Sequence, residues 1–594
     1  MSNSAPFRRL PLRPASLSLA ALLVGTIAGV GAVAFRGLIA LIHNLMFLGQ
    51  FSVHYDANVH TAPSPWGPWV ILVPVAGAMG VAFLVKNFAP EAKGHGVPEV
   101  MDAIYYQRGA IRPVVAIVKS LASALSIGSG GSVGREGPII QIGSSFGSTL
   151  GQVIPMPAWQ RITLVAAGAA GGIAATFNTP IGGVLFAVEI LMHEVSVRTL
   201  VPVAISTATA TYVGRVVFGD YPSFVIPQFH ELSSHVTHPE ALLFYVVLGV
   251  LMGLVSTLYI RSIYAFEDFF DTLPGNYYLR HGAGMLLVGI GIYVMMATTG
   301  NYYIESVGYS TVQDILSGTI GNPWFLLLLA GLKLLATCLT LGSGASGGIF
   351  SPALYLGATL GGAYGLLLAR VFPQWVAMPA AFAVAGMAGL VGGATGAAMA
   401  AIVMIFEMTL DYNVIVPMTI TVALSYQVRQ ALSAESIYTM KLARRGHHMP
   451  DALQANFHQL MRAGDLMDTG LVILPATGTL RQLTELRREQ PAISCYLIAE
   501  GEQTVGYIAR DDVWRLLETH APDALLGEVA RRDYVGVGAQ LTLFGVVTEM
   551  RSQEAAVALV SDRAENLAPK EVRGVITREQ IAATLVQAVE LFGQ

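Results

Sequence analysis

The chain has 594 residues, of which 54% are apolar and only 12% are charged, and its formal net charge at pH 7 is −4. A soluble protein of ordinary composition carries about 25% charged residues. The missing charge is confined to residues 1–450, whereas residues 451–594 contain 13 Lys and Arg and 20 Asp and Glu. This pattern excludes a wholly soluble protein, and the acidic C-terminal part offers no basic surface for a nucleic acid.

Uncharged runs long enough to cross a bilayer recur along the first 450 residues. The clearest are 15–35, 66–85, 241–260 and 378–406, each near or above the ~20 residues that ~30 Å of hydrocarbon requires. Other apolar stretches are short or interrupted by Gly and Pro, which a membrane tolerates where protein or water satisfies the backbone. We therefore expect an all-α polytopic membrane domain with roughly sixteen to eighteen helical segments, several of them too short to span.

Positive charges flank the apolar region at both ends. Arginines precede the first run and basic residues follow the last one, namely Arg8, Arg9, Arg13, Lys441, Arg444 and Arg445. The first run lacks a small-x-small cleavage site and further spans follow it, so it is not expected to be a cleavable signal. By the positive-inside rule, both termini are predicted to be cytoplasmic. The expected location is the inner (cytoplasmic) membrane, with many passes.

Two glycine-rich segments repeat one another at a fixed spacing. Residues 126–138 (SIGSGGSVGREGP) align with residues 340–352 (TLGSGASGGIFSP), with six identities that lie 214 residues apart. Glu189 and Glu407 continue the match at a spacing of 218 residues. The membrane domain is therefore predicted to contain two repeated halves. An odd number of spans in each half would make the repeats inverted, as in many transporters.

The repeated segment has the chemistry of an anion site. Gly allows a tight turn, and Pro suits the first turn of the helix that follows. The free N–H groups at that helix N-terminus, with the positive end of the helix dipole, bind an anion without a fixed positive charge. Alternatively, the glycines only let helices pack closely. Two matching copies, one of which carries a charged residue, favour the anion site.

The same segments also match the Gly-x-Ser-x-Gly pattern of serine hydrolases, at residues 130–134 and 344–348. An intramembrane serine protease is therefore the alternative from another functional class. Against it, the pattern occurs in both halves and no strand is expected before either serine. No His lies between His281 and His447 to activate Ser346.

With these motifs the chain resembles the CLC family of chloride channels and chloride/proton antiporters over about residues 17–445. Residues 134–138 (GREGP) match the gating-glutamate signature of the family, and residues 348–352 (GIFSP) match its second anion-binding signature. Residues 94–98 (GHGVP) resemble the first signature, with His95 where the family commonly has Ser. Tyr438 lies where the pore tyrosine of the family follows the last membrane helix.

The resemblance implies a central anion site. The backbone amides of Ile349 and Phe350, with the Tyr438 hydroxyl, would hold the anion there. His95 would donate an imidazole N–H in place of a hydroxyl, and a protonated imidazole would bind the anion more tightly. The structural alternatives are an interfacial tyrosine for Tyr438 and, for His95, a side chain that faces a vestibule or caps a turn.

The resemblance also implies a gate. Glu136, flanked by the amides of Arg135 and Gly137, would occupy an outer anion position when ionised and leave it when protonated. An ionisable group deep in a membrane segment is costly and is therefore a functional candidate. The alternative is a structural ion pair between Glu136 and Arg135 or Lys119.

Proton handling departs from the family pattern. Alignment places Glu189 at one carboxylate position, and Ile190 where antiporters usually carry the intracellular proton-handling glutamate. Ile cannot carry a proton, and adjacent helical residues point roughly 100° apart, so Glu189 is expected to face away from that route. We predict that chloride moves as in a voltage-gated-type channel, or with loose proton coupling, under the control of Glu136. Strict chloride/proton antiport is the alternative.

Residues 465–585 are predicted to form a soluble α/β module of two β-α-β-β-α units, over 465–520 and 527–585. Strands are expected at 472–474, 495–498, 505–508, 535–537, 557–560 and 572–576. The module resembles a tandem CBS pair, in which Gly-x-x-[Ser/Thr]-x-x-Asp often binds an adenine nucleotide. The first copy keeps Asp512 but lacks the hydroxyl, and the second keeps Thr577 but has Gln580 in place of Asp. A structural or dimer-stabilising role is therefore favoured over nucleotide binding.

The expected organisation is a cytoplasmic segment (1–16), a CLC-like transmembrane domain (17–445), a linker (446–464) and the two CBS-like units. The family resemblance implies a homodimer with one pathway in each subunit. The expected partners are chloride or another small anion, protons if movement is coupled, and the lipid bilayer. No cofactor, metal or nucleic acid is expected, since His447 and His448 alone are too few ligands for a metal.

Overall fold

The computed structural model of the chain describes residues 12–192, 196–226, 239–376, 378–447, 462–562 and 568–582. The chain divides into two compact units, Met1–Met449 and Pro450–Gln594. The division falls within the range 446–464 that the sequence assigns to a linker. Most of that range lies outside the described residues, as do Arg8, Arg9 and His448.

The first unit is helical, with seventeen α-helices in the part that the structure describes. They are α1 (Pro14–His43), α2 (Val73–Asn87), α3 (Val97–Tyr105), α4 (Val114–Gly128), α5 (Glu136–Val153), α6 (Ala158–Phe177), α7 (Pro180–Phe186), α8 (Val197–Phe218), α9 (Leu242–Thr272), α10 (Tyr277–Thr299), α11 (Tyr309–Leu316), α12 (Pro323–Ser343), α13 (Phe350–Val371), α14 (Pro379–Thr395), α15 (Ala398–Thr409), α16 (Ile415–Leu432) and α17 (Thr439–Ala443). Seven helical segments among the described residues are long and apolar enough to cross a membrane. The predicted polytopic helical architecture is confirmed.

One predicted span is wrong. The uncharged run 378–406 forms two helices, α14 and α15, which are separated at Gly396. Gly396 has a left-handed φ of 79°, a conformation that glycine adopts without the steric cost that a Cβ would add. The break gives α15 an N-terminus of its own, and its N–H groups need acceptors.

Those acceptors come from the other half of the protein. Both oxygens of the Glu189 carboxylate accept hydrogen bonds at the start of α15, from Met399 N–H at 3.0 Å and Ala400 N–H at 2.7 Å. In the same way, Glu407 on α15 accepts from two N–H groups at the start of α7, also at 3.0 and 2.7 Å. The two glutamates that match in the sequence repeat therefore cap each other's helices.

The glycine-rich turns are joined by the same kind of exchange. Gly134 N–H donates to Gly348 O at 2.7 Å, and Gly348 N–H donates to Gly134 O at 2.6 Å. A second exchanged pair, with distances of 3.2 Å, runs from Ser132 N–H to Thr340 Oγ1 and from Ser346 N–H to Ser126 Oγ. In both pairs the equivalent residues lie 214 positions apart, so the repeat in the sequence is also a repeat in the contacts.

The second unit contains two three-stranded sheets in its described part. The strands are β1 (Leu471–Pro475), β2 (Cys495–Glu500), β3 (Gln503–Ala509), β4 (Tyr534–Gly538), β5 (Val557–Ser561) and β6 (Val572–Thr577). The helices of this unit are α18 (Ala463–Leu466), α19 (Leu480–Glu489), α20 (Asp512–Thr519), α21 (Leu526–Val529) and α22 (Leu543–Ser552). All six predicted strands are confirmed, and residues 563–567 and 583–585 of the predicted second unit lie outside the described residues.

The two sheets have the same topology. In each sheet the first strand runs parallel to the second, and the second runs antiparallel to the third. Apolar residues of both sheets, among them Leu497 and Leu559, share one buried cluster. This common core joins the two repeated units into one module.

Candidate anion-binding site

Two helix N-termini meet at the exchanged bonds between Gly134 and Gly348. Helix α5 begins at Glu136, and α13 begins at Phe350 directly after Ile349. The first N–H groups of a helix have no acceptor within it, and the helix dipole makes this end positive. The sequence prediction that each glycine-rich turn leads into a helix N-terminus is therefore confirmed.

The Glu136 carboxylate lies at the N-terminus of α13. Its Oε1 accepts hydrogen bonds from the Tyr309 hydroxyl at 2.6 Å and from Ser351 Oγ, and its Oε2 accepts from Ser351 N–H at 3.3 Å. The side chain is 1% exposed. Within the described residues Glu136 forms no ion pair with Arg135 or Lys119, so the structural ion pair considered from the sequence is absent. Among the described residues, the donors to this carboxylate come from the second half of the protein and not from the neighbouring amides of α5.

The turn that carries His95 packs against the start of α5. A Cβ at Gly137 would lie 2.0 Å from His95 O, so only glycine allows this close approach. His95 is buried, and its Nδ1 has no hydrogen-bond partner among the described residues. Its Nε2 lies 3.5 Å from the Tyr264 hydroxyl. Since buried polar atoms normally have partners, this nitrogen is a candidate to contact a ligand, and the 4% exposure of His95 places its imidazole in the protein interior.

Tyr438 lies beside His95, with 6.0 Å between the ring centroids. It is 2% exposed, so it does not belong to an aromatic belt at the membrane surface. On the α13 side, Tyr259 donates its hydroxyl to Ile349 O at 2.8 Å and so fixes the turn. The Phe350 ring packs on Phe177, with centroids 5.5 Å apart.

Two cavities approach these residues. The larger one, of about 510 Å³, is lined by Tyr264, which contacts His95, and by charged residues that include Lys93 and Lys441. The smaller one, of about 220 Å³, is lined by Tyr309 and Arg135 next to Glu136. The candidate site therefore has polar access from the His95 side and from the Glu136 side.

Glu189 and Ile190 do not reach this site. Ile190 is buried in a π-helical turn, Ala187–Met192, that continues α7. Both oxygens of Glu189 are bound to the N-terminus of α15. The expectation that Glu189 faces away from the route that Ile190 would line stays a prediction.

The serines of the hydrolase-like pattern serve as structural hydrogen-bonding groups. Ser346 Oγ donates to Ala92 O at 2.6 Å and lies 2.8 Å from Ser123 Oγ. Ser132 Oγ lies 3.2 Å from Thr337 Oγ1. Neither hydroxyl contacts a histidine in the described part of the chain, so no base is present to activate it.

Tyr309 and Tyr264 are the site residues that motif analysis missed. Tyr309 lies 173 positions from Glu136 and belongs to no signature segment. Tyr264 lies 169 positions from His95. Ser351 was inside the GIFSP motif, and its hydroxyl next to the predicted amides was a signal that could have identified it.

In the second unit, the two nucleotide-site candidates are engaged within the chain. Asp512 accepts from Arg515 at 2.7 Å and from Arg531 at 3.3 Å. Arg531 also binds Asp533 at 2.6 Å, and this guanidinium holds the pKa of the Asp533 carboxyl below its usual range. Thr577 Oγ1 accepts from Gln580 N–H at 3.1 Å, and Thr577 N–H donates to Gln580 Oε1 at 2.8 Å.

The comparisons with known proteins define the class. A model of the voltage gated chloride channel family matches residues 77–430. The chain belongs to the CLC family, whose members are channels and transporters and not enzymes, so the protease alternative is wrong. It is a multi-pass membrane protein of chloride transport.

Particular relatives agree with this class. The chain is 32% identical over 445 residues to the H(+)/Cl(−) exchange transporter ClcA of Cronobacter sakazakii, covering 73% of this chain and 90% of that protein. It is 33% identical over 388 residues to a putative chloride channel protein, ClcB-like, of Ralstonia nicotianae, covering 64% of this chain and 86% of that protein.

Among solved structures, a slow cyanobacterial Cl⁻/H⁺ antiporter is similar with a TM-score of 0.63 and 26% identity, over 73% of this chain and 98% of that one. A eukaryotic CLC transporter is similar in fold with a TM-score of 0.58 and 22% identity. The second alignment covers 95% of this chain and 97% of that one, so the likeness of fold extends into the C-terminal unit.

Proposed function

We propose that chloride moves through this protein by channel-like conduction or with loose proton coupling, and that Glu136 is the gate. The observation that supports the proposal is the place of the Glu136 carboxylate. It accepts hydrogen bonds at the N-terminus of α13, where N–H groups and the helix dipole favour an anion. A carboxylate and a chloride ion would compete for this position, so protonation of Glu136 would release it to the anion.

The central anion would lie between the Ile349 and Phe350 amides, the Tyr438 hydroxyl and His95. Three facts support this arrangement: the amides begin α13, Tyr438 is buried beside His95, and the imidazole has an unpartnered nitrogen. Arg135 and Gly137 would hold the outer position through the N-terminus of α5.

Loose coupling is proposed because, among the residues that the structure describes, neither Ile190 nor its neighbour Glu189 supplies a free carboxylate at the proton-handling position. Ile190 is apolar and buried, and Glu189 is committed to the α15 N-terminus. An isolated charge in a low-dielectric interior is heavily penalised, so a proton would need a water chain past Ile190. Strict chloride/proton antiport is the second candidate, and the names of the exchange transporters similar to this chain favour it.

The remaining assignments belong to the same proposal. The two repeats are inverted, both termini face the cytoplasm, and the protein is a homodimer in the inner membrane. The C-terminal module is a tandem CBS pair with a structural role. The engaged state of Asp512 and Thr577 supports that role.

The test is chloride and proton flux from purified protein in liposomes, with the reversal potential measured in a proton gradient. Glu136→Gln, which mimics the protonated gate, should conduct chloride with little dependence on pH. Glu136→Ala should conduct chloride and lose any proton coupling. Unchanged pH dependence in both variants would remove Glu136 from the path. A fixed chloride-to-proton ratio in the wild type would favour strict antiport, and absence of flux would refute transport altogether.

A further inference from the structure

We propose that Tyr309 and Ser351 form a hydroxyl receptor that holds the ionised Glu136 carboxylate in the closed position and sets the pH at which the gate opens. The inference rests on the proposed gating role of Glu136. It adds a positioning residue, Tyr309, that lies in α11 outside every glycine-rich motif of the chain.

The receptor is a triangle of three oxygen atoms. The Tyr309 hydroxyl lies 2.6 Å from Glu136 Oε1 and 2.7 Å from Ser351 Oγ, and Ser351 Oγ also bonds Glu136 Oε1. Hydrogen bonds from a hydroxyl to a charged oxygen are typically 2.5–2.7 Å long. The 2.6 Å distance from Tyr309 lies in this range, so the hydroxyl is placed to donate to the carboxylate when it is ionised.

The donors around Glu136 match a carboxylate better than a carboxylic acid. Tyr309 and Ser351 each supply one hydroxyl proton, and Ser351 N–H faces Oε2 at 3.3 Å. An ionised carboxylate accepts all three. Protonation removes the negative charge, and neutral hydrogen bonds are roughly half as strong as charge-assisted ones. Protonation therefore weakens the hold on the side chain, which is what a gate that opens on protonation requires.

The Tyr309 ring is held in place from several sides. The Arg135 guanidinium lies 5.3 Å from the ring centroid, and the Phe224 ring meets it edge-on at 5.3 Å. Gly308, with φ of 76°, starts the turn into α11, and a Cβ there would lie 2.7 Å from the Tyr355 ring. The hydroxyl is thus preorganised for the carboxylate and loses little freedom when it donates.

Several charged or titratable groups surround the carboxylate. They are Tyr309 from α11, Arg135 before α5, Tyr259 from α9 and Tyr438 before α17. Arg36 of α1 lines the smaller cavity together with Tyr309, and its charge interacts with the Tyr309 phenol. In the described structure, only Tyr309 among these groups hydrogen-bonds Glu136. The phenol hydroxyl is therefore the group whose removal acts most directly on the ionised gate.

The test is the pH dependence of chloride flux in liposomes for Tyr309→Phe. This change keeps the ring and removes one donor to a charged acceptor. Such a bond contributes enough to move the midpoint by about one pH unit. Because the lost bond favours the ionised, closed form, the midpoint should move to higher pH, and Ser351→Ala should move it in the same direction. Tyr302→Phe is the matched control, since its hydroxyl bonds Ser64 N–H on the neighbouring loop and not Glu136.

A double variant separates gating from packing. Once Glu136→Gln has removed the ionised gate, Tyr309→Phe should cause no further shift; an equal shift in both backgrounds would overturn the receptor. Should Tyr309→Phe fail to elute as a folded protein, Ser351→Ala carries the comparison. If the wild type conducts chloride but the pH midpoint of Tyr309→Phe or Ser351→Ala does not shift, this inference is refuted, whereas the proposed gating role of Glu136 stands. Absent wild-type flux refutes the proposed function itself.

Discussion

Glu189 is the residue through which proton movement in this protein can be tested most directly. Its carboxylate caps the N-terminus of α15 with bonds of 3.0 and 2.7 Å. Glu407, its equivalent in the second half, caps α7 with bonds of the same two lengths. Glu407 is therefore a matched control, because it makes the same contacts but does not lie next to Ile190, where the family pattern leads us to expect a proton-handling glutamate.

The expected effect of Glu189→Gln follows from those two bonds. The amide keeps one acceptor oxygen but loses the negative charge, so one charge-assisted bond and the attraction to the helix dipole are removed. Together these lower the free energy of unfolding by about 2 kcal/mol. For a chain of 594 residues, this corresponds to a fall of about 2 °C in the thermal midpoint. Glu407→Gln should cause a similar fall.

Thermal unfolding in detergent measures the stability change, and liposome flux measures the chloride-to-proton ratio. If Glu189 is only a helix cap, both variants lose similar stability and neither changes the ratio. Loss of proton coupling in Glu189→Gln, with coupling intact in Glu407→Gln, would identify Glu189 as the proton carrier and refute the capping argument.

Two further predictions concern the anion site and the C-terminal module. His95→Ala should weaken chloride binding, measured by calorimetry, about tenfold, because one donor to the anion is removed. His95→Ser should restore most of the affinity. Equal affinities in the wild type and both variants would place His95 outside the site. The isolated residues 458–594 should not bind ATP or AMP at micromolar concentrations, because Asp512 is held by Arg515 and Arg531. Binding at micromolar concentrations would contradict a structural role for the C-terminal module.

The local features of this protein could be predicted from its sequence. The step in charge near residue 450 separates the apolar part of the chain from the charged part, and the six strands of the module coincide with short, mostly apolar runs. The helix starts at Glu136 and Phe350 were also predictable, because Gly and Pro determine turns and first helical turns through their own backbone. The sequence repeat identified these two starts as equivalent.

The break at Gly396 shows the limit of local patterns. Hydrophobicity alone predicted residues 378–406 as one span. The structure instead has a short helix, α15, whose N-terminal N–H groups donate to the distant Glu189. Only the tertiary structure shows that partner.

The packing of one half on the other decided which side chains act together. It places Tyr309 on Glu136 across 173 residues of chain and uses Glu189 as a cap. A motif predicts the backbone conformation that its own segment adopts. The contacts of a side chain depend in addition on how distant segments pack against it. In this protein the sequence therefore determined where two helix N-termini with free amides form, and the tertiary structure determined which side chains hold the Glu136 carboxylate at one of them.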